Sequence, residues 1–121
     1  MNNHNLMILR DFLIDNKELV EQHLDMVSFY KRSGDESIRP DMIHGAVPDC
    51  NTTCCLIGWC AHIPEFRSQV KRCESFFKVS EVLFNIGVTN YEFDYLFGTR
   101  NDDCVESAIK RLTKVINDDY L

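Results

Sequence analysis

Apolar residues recur at spacings of three and four along most of this chain, the mark of amphipathic helices. Residues 5–14, NLMILRDFLI, carry them at 6, 9 and 13 and at 8 and 12, which gives a first helix with a wide apolar face. Asp15 or Asn16 can break that helix and cap a second piece, KELVEQHL, with Leu19, Val20 and Leu24 inward. The pattern is compatible with one kinked helix or with two. The following DMVSFYKR is β-branched and aromatic without a clean period, so it either continues the helix or extends. Residues 33–49 hold Gly34, Pro40, Gly45 and Pro48 and read as an ordered loop or a flap.

Cys55, Leu56, Trp59, Cys60 and Ile63 then form one apolar stripe, preceded by the potential N-cap residues Thr52 and Thr53 and ended by Pro64. Residues 53–63 are therefore predicted as a short helix, buried nearly all round, at the centre of the fold. Gly58 in its middle costs about 1 kcal/mol against alanine, which predicts close approach of another backbone.

Phe66, Val70 and Cys73 have the spacing of a short helix. Phe76, Val79, Leu83 and Ile86 make a stripe with Gly87 placed to close it. Thr89 with Glu92 reads as a capping box for NYEFDYLF, which Gly98 closes. Asp102 or Asp103 is placed to cap the last helix, whose face is Val105, Ala108, Ile109, Leu112, Val115 and Ile116. Asp118 and Asp119 read as a solvated tail. The expected fold is all-α. It is a single compact domain, residues 1–121, of five or six short helices around a central helix carrying cysteine and tryptophan.

Composition narrows the function. A chain of 121 residues with 45% hydrophobic residues can bury a core without staples. No apolar run is long enough to span a bilayer. The N-terminal residues lack the basic region and cleavage site of a secretory signal, so free thiols in a reducing cytosol are expected. Net charge is −6, with one arginine against four acids in residues 34–64 and four bases against seven acids in residues 89–121. No basic stripe exists to track phosphates, which argues against direct nucleic-acid binding. The acidity serves solubility, or it imitates DNA toward a DNA-binding partner.

The chemistry centres on the cysteines. Cys50, Cys55 and His62 are the set that a metal or thiol site would use. Their C-x₄-C spacing lacks the paired knuckles of a structural zinc site, and free cysteines also serve as small buried hydrophobes. Phosphate-binding glycine loops, HExxH and GxSxG are absent. No cofactor and no catalytic residue is assigned. Arg39, Asp41 and His44 make a polar cluster in the 33–49 loop. Tyr91 and Tyr95 offer an aromatic edge, which either binds or closes the core.

The order of LDMVSFY, a loop, CNTTCCLIGW and VLFNIGVTNYEFDYLF resembles small uncharacterised bacteriophage and prophage proteins. Those proteins have a C-G-T-x-x-C-x-x-G-[WH] core and an LGL-x₃-E-x₃-LF segment. Cys50, Thr52, Cys55, Gly58 and Trp59 match the first motif, with Asn51 in place of its glycine. Ile86, Gly87, Val88, Glu92, Leu96 and Phe97 match the second loosely. The resemblance implies a phage origin and a compact helical fold, and no reaction. It directs the expectation to a non-enzymatic protein in the host cytoplasm. Such a protein would bind and modulate or inhibit a host protein, such as a defence factor, with Arg39, Asp41, His44, Tyr91 and Tyr95 as the expected surface.

Overall fold

A computed structural model describes residues 1–118 of the chain; Asp119, the second residue of the expected tail pair, lies outside them. Helix α1 spans Asn3–Asp15, and the Asn2 side chain accepts the Asn5 N–H at 3.1 Å, satisfying a donor that a helix start leaves unpaired. Helix α2 spans Lys17–His23. Between them Asn16 leaves helical geometry at φ −130°, and its side-chain amide donates to the Phe12 carbonyl at 2.9 Å. The N-terminal segment is therefore two helices.

The chain then extends. Strand β1 (Tyr30–Arg32) pairs antiparallel with β2 (Thr52–Cys54), Tyr30 standing opposite Cys54. Ser33 and Gly34 follow β1 in a tight turn, with φ at 51° and 85°, the left-handed pair that a type I′ turn needs. This corrects the expectation of an all-α fold of five or six helices: among the described residues there are seven α-helices and one small two-stranded sheet. Thr52 and Thr53 are strand residues, not caps. The reason is tertiary. The Asp25 N–H donates to the Cys54 carbonyl at 2.9 Å and the Cys55 N–H to the Ser28 carbonyl at 3.0 Å, so residues 52–55 are held extended by residues 25–32.

The central helix α3 accordingly starts late, at Leu56–Trp59, and tightens into a 3₁₀ turn over Cys60–His62. Every residue from Cys54 to Ile63 is buried, as expected of the core element. A methyl group on Gly58 would collide with the Phe29 carbonyl oxygen and come 2.8 Å from the Cys54 Cβ. Trp59 is fully buried, with Phe12, His23 and His62 packed around its ring at centroid distances of 5.8, 6.0 and 5.8 Å.

Four further helices enclose this centre: α4 (Arg67–Val70), α5 (Phe76–Phe84), α6 (Tyr91–Phe97) and α7 (Val105–Ile116). Their predicted apolar faces are inward, but their caps differ from expectation. Asn85, not Gly87, takes the left-handed position after α5, with φ 56°. The Gly87 N–H donates to the Asn90 side chain at 2.7 Å and Asn90 is the N-cap of α6, so Thr89 and Glu92 form no box. Helix α7 begins after Cys104, not after an aspartate. Asp103 instead accepts the Met26 N–H at 2.7 Å, and Glu21 of α2 accepts the Val105 N–H at 3.2 Å. Helix α1 packs mainly on α7.

The 33–49 loop is anchored. Ile38, Pro40, Ile43 and Pro48 are buried, and Ser28 donates its hydroxyl to Glu36 at 2.5 Å.

Candidate functional site

The residues with reactive side chains are mostly in the interior. The His62 Nδ1–H donates to the Gly45 carbonyl at 3.0 Å, since a carbonyl can only accept. Its Nε2 then accepts the Tyr30 hydroxyl at 2.7 Å. Burial lowers the His62 pKa and raises that of Tyr30, so both groups are neutral in this bond. Both ring nitrogens are thereby committed, Nδ1 to the 33–49 loop and Nε2 to strand β1. His23 ties α2 to strand β2, Nδ1 to the Thr52 carbonyl at 2.8 Å.

Cys54, Cys55 and Cys60 are buried, and desolvation pushes their thiols up, Cys55 to about 11 although the Gly58 and Ile57 N–H groups face its sulfur and pull the other way. Burial thus favours their protonated form, in which they pack as small apolar groups. The set Cys50, Cys55 and His62 is not assembled: Cys50 is exposed, Cys55 is buried, and His62 is committed elsewhere. Among the described residues no three His, Cys, Asp or Glu side chains are placed to hold one metal ion.

The surface offers a different feature. Two clefts of about 210 and 260 Å³ meet at Phe29 and Phe77, which line both. The first runs over Val27, Phe93 and Phe97 to Asp94 on α6 and Thr99 just after it. The second lies against Glu36 to Pro40 of the loop and Glu74. Phe77 is 50% exposed and Val27 69% exposed, so the ridge and one wall are apolar and open to solvent. The rings pack in series: Phe29 edge-on to Phe77 at 4.9 Å, Phe77 to Phe93 at 6.4 Å, and Phe93 to Phe97 at 5.8 Å.

Of the residues expected at a binding surface, Arg39 lines the second cleft, with its guanidinium 3.3 Å from Asp41 in an exposed pair. His44 is exposed farther along the loop. Tyr91, 58% exposed, stacks on Tyr95 at 6.0 Å, and neither is in the lining of these two clefts. Of the expected surface, Arg39 lines the groove, while Asp41, His44, Tyr91 and Tyr95 stand outside its lining. Sequence reasoning passed over Val27, Phe29 and Phe77. The available signal was the pair Phe76–Phe77: neighbours on a helix are about 100° apart, so a narrow core face takes one and leaves the other out.

No helix among the described residues is long and apolar enough to cross a membrane. Comparisons with protein-family models, curated proteins and solved structures give no significant match.

Proposed function

We propose that this chain is a non-enzymatic binding protein that docks a host protein on the apolar groove at Phe29 and Phe77 and thereby modulates or inhibits it. The observation that carries the reading is the half-exposed Phe77 between two adjoining clefts, beside Val27. Large apolar side chains grouped around a concave surface are characteristic of protein interfaces, where a few aromatic anchors supply most of the affinity. Non-catalytic action is supported by the burial of Cys54, Cys55 and Cys60, which raises their thiol pKa values, and by the structural engagement of His62. The phage setting and the host cytoplasm rest on the resemblance of the CNTTCCLIGW and VLFNIGVTNYEFDYLF stretches.

The test is capture of bacterial lysate proteins on tagged wild-type chain and on Phe77→Asp and Val27→Asp variants, at low and high salt, with protein and nucleic acid both identified. A stoichiometric host protein retained by wild type and lost by both variants, at unchanged thermal midpoints, is expected. Retention by both variants would remove this face. Capture displaced by DNA and by salt would point to the acidic surface as a DNA mimic.

A further inference from the structure

The first of the two clefts has a more specific chemistry than an apolar docking surface requires. Four phenylalanines line it: Phe29, Phe77, Phe93 and Phe97. They do not stack as one plane. Phe29 and Phe77 meet at 87°, and Phe93 and Phe97 at 68°, while Phe29 also stacks on Phe76 and Phe97 on Phe84. The only charged residue in the lining is Asp94, on the exposed side of α6. Ring faces carry negative quadrupole potential and attract a cation within about 6 Å of the centroid. A carboxylate at the mouth adds to that attraction and repels an anion. A cleft of about 210 Å³ accepts one side chain, not a large ligand.

We infer that this cleft receives an alkylammonium group, the lysine side chain of the docked partner, whose methylene stem packs on Phe77 and Phe93 and whose ammonium lies between the rings and Asp94. The inference rests on the reading of this face as a partner-docking groove. A purely aliphatic side chain would satisfy the rings and gain nothing from Asp94. A second copy of this chain is disfavoured as occupant, because at net charge −6 it would bring like charge to the acidic mouth.

The test uses three blocked peptides of one sequence, with lysine, trimethyllysine or norleucine at the centre, and choline with its uncharged isostere 3,3-dimethylbutan-1-ol. Binding is read from the NMR shift of the Met26 methyl group, which lines the same cleft. The lysine and trimethyllysine peptides are expected to bind about tenfold more tightly than the norleucine peptide, and choline to bind more tightly than its isostere. Asp94→Asn should lower lysine-peptide affinity about fivefold and leave norleucine binding unchanged. Equal binding of lysine and norleucine peptides, or indifference to Asp94→Asn, overturns the inference. Choline binding more tightly than either charged peptide also overturns it, in favour of a free small ligand. The two readings fail separately. A captured partner that survives Phe77→Asp removes the docking face, whereas one lost with Phe77→Asp but untouched by Asp94→Asn removes only the ammonium pocket.

Discussion

Two residues at the centre are held by their neighbours more tightly than by their own elements. Gly58 is one, because α3 lies directly on the Phe29 carbonyl. Gly58→Ala gains about 1 kcal/mol of helix propensity but forces the two backbones apart, at a typical overpacking cost of about 1–3 kcal/mol. A net loss of stability is expected in urea denaturation, and an unchanged or higher midpoint would show that the 28–30 segment yields. His62 is the other. Tyr30→Phe leaves its Nε2 without a donor in the interior and should cost about 1–3 kcal/mol. The same residue imposes a pH dependence. Its folded-state pKa lies below the ordinary 6.5, so the unfolded chain takes up the proton first. The stability it contributes is present above about pH 6.5, is lost as pH falls below that value, and levels off beneath the folded pKa. The urea midpoint of wild type should therefore fall from about pH 7.5 to about pH 5, and His62→Gln should lose that component. An identical pH profile in the variant would assign the loss to other groups.

At the scale of elements, the fold uses one segment to finish another. The N-terminus of α7 is satisfied by Glu21 of α2, and the start of the 26–29 segment by Asp103 just before α7. Glu21→Ala should cost about 1 kcal/mol, as loss of a helix cap does, although Glu21 lies on a different helix. Lys17 and Glu106 join the same two helices by an ion pair of 2.6 Å, but both side chains are largely solvated. Lys17→Ala should therefore change stability by less than about 0.5 kcal/mol. Thermal or urea denaturation of the two variants side by side checks this, and a larger effect from Lys17 would reverse the assignment. These caps were not legible in the chain. Thr89 with Glu92, and Asp103 with Glu106, have the capping spacing, yet in the fold Asn90 occupies one cap and Cys104 the other. A cap motif names residues able to accept a hydrogen bond; where the chain turns decides which N–H they meet.

At the scale of the whole molecule, the thiols report on opening. Cys54, Cys55, Cys60 and Cys73 are buried, while Cys50 is exposed and Cys104 half-buried. Alkylation of the native chain, read by peptide mass, should mark Cys50 first and Cys104 next. The buried four should react only at the rate of local or global opening. Rapid labelling of Cys55 would mean that the cleft above it opens down to α3. The groove itself is a whole-molecule property. Its walls come from residues 26–29, the 33–49 loop, α5 and α6, segments far apart in the chain that each supply part of the lining.

Sequence periodicity alone determined that the chain is mainly helical, that its buried centre lies within residues 53–63, and that a backbone must lie against Gly58. Those properties follow from the spacing of apolar side chains and from the missing Cβ, which are local facts. Tertiary structure alone decided that Thr52–Cys54 is a strand, that Asn85 and not Gly87 turns left-handed, and that Phe77 faces outward while Phe76 faces in. It also decided that Cys50, Cys55 and His62 stand apart. In each of these the sequence leaves two local arrangements close in free energy, and hydrogen bonds or packing from distant segments select between them.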